Sequence, residues 1–214
     1  MISPVLVRWF LCWFYALSFD WRIACRHPPY VFTEVKMPDY RRFRVPGGTY
    51  FFTVNLLERR LDTLVRHIDV LREAVRVTKR ERPFHIDAWV VLPDHMHCVW
   101  TLPPGDDDFS NRWKAIKIRF VQKIPATERR SRVRVARHER GVWQRRFWEH
   151  DIRDDYDYAA HIDYCHWNPM KHGLVQRVAD WPYSSFHQYV RRGLILEDWA
   201  GVIAESKGSY GEST

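Results

Sequence analysis

The stretch His85–Leu102, HIDAWVVLPDHMHCVWTL, decides the fold. Two apolar, β-branched runs, His85 to Leu92 and His95 to Leu102, flank Pro93-Asp94, a tight turn, and so predict two antiparallel strands. On the N-terminal side, Leu64, Ile68, Leu71, Val75 and Thr78 recur at three- and four-residue steps. That spacing predicts a helix from Asp62 or Thr63 to about Arg80, stopped by Pro83. Further back, Tyr50 to Leu56 (YFFTVNL) is aromatic and β-branched, and follows the turn Pro46-Gly47-Gly48; it reads as the first strand. On the C-terminal side, the loop PPGDDD (Pro103 to Asp108) offers acidic caps to a second helix, Phe109 to Lys123. An Arg-rich loop over 125–141 follows, then a fourth strand within Val142 to Ile152. Asp154 or Asp155 opens a third helix through Tyr164 to about Asn168, where Pro169 is expected to end it.

The order β-α-β-β-α-β predicts an α+β protein, a ferredoxin-like antiparallel sheet with helices on one face. The third helix and a C-terminal strap carrying Trp181, Tyr183 and Phe186 complete it. Many unrelated activities share that plan, so function has to be read from side chains.

Of 214 residues, 46% are hydrophobic and 15% aromatic, which supplies a core and excludes a disordered chain. Cys12, Cys25, Cys98 and Cys165 form no CxxC pair, which argues against a zinc ribbon or a disulfide scaffold and fits a reducing compartment. The apolar run Val5 to Phe19 has 15 residues and contains Arg8. A membrane-spanning helix needs roughly 20, and a signal peptide needs a positive start and a defined cleavage site. Residues 1–36 are therefore read as an upstream extension from too early a start codon, or a short arm, with Met37 as the natural start. Residues 37–201 form the expected domain and 202–214 a disordered tail, with no membrane role for the core and a cytoplasmic, nucleoid-associated setting.

His95 and His97 lie two apart on the predicted third strand, so both imidazoles project from one face. Two imidazoles make half a divalent-metal site, although an isolated His-x-His is more commonly a hydrogen-bonded pair. In HIDYCHWNP, Tyr164 and Asn168 sit four apart and share a helical face. Tyr156 and Tyr158 have Ala160 and Ile162 at that offset, so Tyr164 alone of these tyrosines is matched with a ligand-type residue. The same two residues would also serve as a buried tyrosine and a helix cap. As a trio around one cation, they suit phosphodiester transesterification. A phenol, with a pKa of ~10, is a poor nucleophile at neutral pH. A cation on neutral ligands keeps its charge for the phosphate.

LPDHMHCVW (Leu92 to Trp100), WQRRFWEHDIR (Trp143 to Arg153) and HIDYCHWNPMKHGLV (His161 to Val175) resemble the REP-associated tyrosine transposases, members of the HUH single-strand nucleases. YRRFRVPGGTYFFTVNLLERR (Tyr40 to Arg60) and DWPYSSFHQYVRRG (Asp180 to Gly193) are similar too, so the resemblance spans roughly Met37 to Gly201. It implies that His95 and His97 are metal ligands, Tyr164 the attacking tyrosine and Asn168 the third ligand. It also implies Mg2+ or Mn2+ as cofactor, and single-stranded DNA with hairpin-forming REP palindromes as substrate. The N-terminal extension and the Arg-rich insertion around Glu128 to Arg140 depart from the family pattern.

Residues 112–146 hold thirteen Lys and Arg against two Glu, a net +11 in a chain whose total is +8. Such a stripe attracts a polyanion. Arg112, Lys114 and Lys117 on the helix and Arg145 and Arg146 on the strand are the expected DNA contacts, because ordered elements pre-position them. Trp143, Phe147 and Trp148 can stack on bases but are expected mainly in the core. Three functions remain open on sequence: a metal-dependent DNA transesterase, a hairpin-binding regulator that does not cleave, and a metal hydrolase without a covalent intermediate. Monomer and homodimer are both compatible with them.

Overall fold

A computed structural model describes residues 42–201 together with Tyr210 and Gly211. The expected extension over 1–36 and most of the tail over 202–214 lie outside the described residues. The element order is β1 (Thr49–Asn55), α1 (Thr63–Arg66), α2 (Ile68–Glu81), β2 (His85–Val91), β3 (His95–Thr101), α3 (Phe109–Lys123), α4 (Arg132–Ala136), β4 (Trp148–Asp151), α5 (Asp155–Lys171), a 3-10 turn (Val178–Asp180) and α6 (Phe186–Arg191). The four strands pair antiparallel in the order β2-β3-β1-β4, which is the ferredoxin-like arrangement.

Alternation along the strands gives the sheet two apolar faces. Tyr50, Phe52 and Val54 of β1 and Met96, Cys98 and Trp100 of β3 point to one face, where Leu71 and Ala74 of α2 and Trp113, Ile116 and Phe120 of α3 close over them. Trp100 stacks on Trp113 at 4.2 Å between centroids, the centre of this core. Replacing Trp100 with Ala is expected to cost about 3–5 kcal/mol. The urea midpoint of unfolding measures it, and a shift equivalent to less than about 1 kcal/mol would mean the core is elsewhere. The opposite face carries Phe51, Val90 and Val99, covered by Ile162, Tyr164 and Cys165 of α5.

Helix starts follow local chemistry. Asp108 accepts from the Asn111 amide at 3.1 Å and Asp154 from the Asp157 amide at 2.8 Å. Two boundaries differ from expectation. The first helix breaks at His67, because α1 is tied to the hairpin turn through Leu64 N–H and the Pro93 carbonyl, whereas α2 packs along α3. The third helix does not end at Pro169; it runs on to Lys171. Proline removes one amide donor, so the ladder loses only its bond to the Cys165 carbonyl. Asn168 and Pro169 are buried, and the His172 amide still bonds the Asn168 carbonyl at 3.1 Å. Burial outweighs one lost bond in a last turn.

The strap is an addition to the sheet edge. The Val91 amide donates to the Tyr183 carbonyl and the Ser185 amide to the Trp89 carbonyl, so residues 183–185 occupy the open side of β2. Trp181 Nε1 donates to the Val91 carbonyl at 3.0 Å. As expected, Trp143 and Phe147 pack against one core and Trp148 against the other. Cys98 and Cys165 are buried thiols.

Candidate active site

β1 and β3 run side by side with Thr53 opposite His97 and Asn55 opposite His95. Their shared face turns toward α5, and all four residues are buried. The imidazoles of His95 and His97 lie 5.0 Å apart, centroid to centroid, and nearly perpendicular. His97 faces the ring of Tyr164 at 5.2 Å. The sheet histidines and the helix phenol therefore meet within one chain, an arrangement the sequence left open between one chain and two. Asn168 follows one turn along α5 and is fully buried.

Hydrogen bonds fix which nitrogen each histidine presents. Thr53 Oγ1 donates to the Tyr210 carbonyl at 2.6 Å, so toward His97 it can only accept. The 2.8 Å contact to Nδ1 therefore makes His97 an Nδ1–H tautomer, with its lone pair on Nε2. His95 Nδ1 lies 2.7 Å from the Asp94 carboxylate, which is also held by Arg59 at 2.6 Å. Burial pushes the Asp94 carboxyl up, but the bonds from His95 and Arg59 outweigh it and hold it at about 2. Asp94 is thus an anion at any physiological pH and keeps the proton on Nδ1 of His95. Nε2 of His95 is buried and has no hydrogen-bond partner among the described residues. A buried nitrogen lone pair without a donor, beside a second imidazole fixed in the same tautomer, suits a cation.

The phenol is gripped from several sides. Its ring stacks on Tyr210 at 3.7 Å and meets Phe51 edge-on at 5.8 Å. Lys171 Nζ donates to the Tyr164 hydroxyl at 2.7 Å and lies 4.8 Å from the ring centroid. Lys171 was not among the residues expected from sequence. The signal was present: Tyr164, Asn168 and Lys171 stand at i, i+4 and i+7, one helical stripe. Reading Pro169 as a terminus cut that stripe short. His172 caps α5 and lies 5.0 Å from His95.

A second histidine group clamps the helix. His150 of β4 lies 2.8 Å from an Asp157 carboxylate oxygen, and His161 Nδ1 lies 2.8 Å from the Asp157 carbonyl. Among the described residues, His150, Asp157 and His161 are the cluster whose donor atoms come close enough for a metal. The two imidazoles stack nearly parallel at 4.7 Å, so their lone pairs do not converge, and they are bonded to Asp157 instead. The group fastens the start of α5 to the sheet edge. His166 packs against Phe186 and Tyr189 and is pushed down to about 4, by burial first and the His187 charge second, so it is a neutral core residue.

The basic residues separate. Lys114, Arg145 and Arg146 are exposed, with Arg145 held to Glu139 at 2.8 Å. Arg112 is 3% exposed and spends its guanidinium on the Asp106 carboxylate and on the carbonyls of Arg82, Pro83 and Asp108. Lys117 donates to the Gln144 carbonyl at 3.1 Å, between the rings of Trp143 and Phe147, and burial and then Arg42 push it down to about 8. Those two residues brace the fold with the bonds they make inside the protein.

No family model matches the chain. It is 51% identical over 169 residues to the REP-associated tyrosine transposase of Escherichia coli (strain K12), covering 79% of this chain and 94% of that protein. A solved structure of a REP-associated tyrosine transposase bound to a REP hairpin superposes with a TM-score of 0.71 at 50% identity, covering 83% of this chain and 99% of that one. Among the described residues, no helix is long and apolar enough to cross a membrane.

Proposed function

This chain belongs to the REP-associated tyrosine transposases, and on that footing we propose that it cuts and rejoins single-stranded DNA at hairpin-forming palindromes through a phosphotyrosine on Tyr164. The observation that carries the reading is the single-chain meeting of Tyr164, His97 and His95, with Lys171 on the phenol oxygen. The REP hairpin bound by the related structure supports the choice of substrate.

Tyr164 Oη attacks the scissile phosphorus, forming a Tyr–O–P bond as the bond to the 3′ oxygen breaks. The phenol proton ends on that oxygen, leaving a 3′-hydroxyl, and the reverse step rejoins strands. Because Lys171 only donates, the phenol's own hydrogen points away from it, and the ammonium offsets charge gathering on the phenol oxygen in both directions. Nε2 of His95 and His97, with the Asn168 amide oxygen, would hold Mg2+ or Mn2+. That ion supplies Lewis-acid polarisation of the phosphate. Thr53 and Asp94, the latter held by Arg59, fix the orientation of both rings through their Nδ1 atoms.

The test is a hairpin oligonucleotide labelled at its 3′ end, incubated with the protein and Mg2+ or Mn2+ and run on a denaturing gel. Label on the protein, mapped by mass spectrometry to the peptide holding Tyr164, is expected. Binding with no cleavage would replace this reading with a regulatory hairpin binder, and free nicked product alone would make it a hydrolase. A second expectation concerns Lys171. Lys171→Ala should slow adduct formation about 10²-fold at saturating DNA, and Lys171→Arg should restore most of it. Equal rates in wild type and Lys171→Ala would remove the ammonium from the mechanism.

A further inference from the structure

Five of the thirteen basic side chains over 112–146 are engaged within the protein. Besides Arg112 and Lys117, Arg119 pairs with Glu81, Arg140 with Glu128 and Arg145 with Glu139. A second concentration of positive charge lines a groove of about 740 Å³ between α2, the β2 edge and the strap. Arg72, Arg76, Lys79 and Arg80 line it from α2, at i, i+4, i+7 and i+8, all exposed. A rise of 1.5 Å per residue spaces Arg72, Arg76 and Arg80 about 6 Å apart along one side. Arg192 faces them from beyond α6.

The acidic residue in the lining, Asp87, is occupied: it accepts from Thr101 at 2.8 Å and Tyr158 at 3.1 Å, and lies 3.1 Å from His85. Arg72 pairs with exposed Asp69 and the exposed Arg76 with half-buried Glu73, surface pairs worth little and exchangeable for a phosphate. The groove floor is apolar and aromatic, with Tyr183 5.9 Å from the Arg72 guanidinium.

We propose that this groove is a second nucleic-acid surface, which grips the phosphodiester backbone of the hairpin away from the scissile bond. The proposal rests on the hairpin reading above and deepens it. Five cations, of which Lys79, Arg80 and Arg192 add to the two in exchangeable pairs, match a polyanion and give no base readout. α2 covers the sheet face opposite His95 and His97, so a strand in the groove passes around the β2 edge from the reaction centre and leaves that centre to the cleaved strand.

The experiment is equilibrium binding of a fluorescent hairpin by anisotropy, without divalent ions so that no cleavage intervenes, across a range of salt concentrations. The variant Lys79→Gln/Arg80→Gln/Arg192→Gln removes three exposed charges and is compared with wild type and with Lys79→Gln alone. Loss of three phosphate contacts should flatten the slope of log affinity against log salt by about 2 to 3 and weaken binding about tenfold or more at moderate salt. The single variant should flatten it by a little under 1. A wild-type slope and affinity in both variants would overturn the groove while leaving the reaction at Tyr164 standing. A wild-type protein that does not bind the hairpin at all would take down both, and the covalent-label experiment would record that separately.

Discussion

Tyr164→Phe is expected to abolish the protein-linked product, by more than about 10³-fold, while hairpin affinity stays near that of wild type. The substitution takes away one oxygen and little else. The ring keeps its stack on Tyr210 and its edge contacts with Phe51 and His97, so the packing of α5 on the sheet is retained. Lys171 loses one acceptor but is exposed, and water replaces that bond at a cost of about 1 kcal/mol or less. Loss of product in a protein with an unchanged unfolding midpoint therefore isolates the nucleophile. The opposite outcome is equally readable. Tyr210 lies against Tyr164, so undiminished adduct in Tyr164→Phe, with the label mapped to the peptide of Tyr210, would transfer the role to the neighbouring phenol.

The sheet was legible because its signals are local. Period-two alternation in β3 places His95, His97 and Val99 on one face and Met96, Cys98 and Trp100 on the other, and the hairpin turn at Pro93-Asp94 fixes which strand pairs with it. Helix α3 has the expected bounds, since its cap at Asp108 and its apolar spacing agree. What was not legible depended on tertiary partners. Nothing near Arg112 in the sequence announces that Asp106 and three carbonyls will enclose it, and a charge count treats a buried arginine like an exposed one. The proline rule failed at Pro169 because it weighs a lost backbone bond and cannot see the burial of Asn168 beside it. Asp94 and Thr53 belong to the site only through the contacts they make with the histidine Nδ1 atoms.

Those Nδ1 contacts make the histidine pair the second place where one substitution should stop the reaction. With Nδ1 of His97 bonded to Thr53 and Nδ1 of His95 to Asp94, Nε2 is the atom each buried ring would present to the proposed cation. His97→Ala and His95→Ala are therefore expected to eliminate Mn2+ binding, followed by electron paramagnetic resonance, and to reduce adduct formation more than about 10³-fold. Hairpin binding without metal should persist, because neither ring lies among the exposed cations. Asp94→Asn makes the argument graded. An amide oxygen can still accept from His95 Nδ1, but the negative charge that Arg59 also engages is gone, so Mn2+ affinity should fall about 10- to 100-fold and not vanish. Wild-type Mn2+ binding in His97→Ala would show that the cation does not sit between these imidazoles. A decline in Asp94→Asn as complete as in His95→Ala would show instead that the carboxylate itself is a ligand.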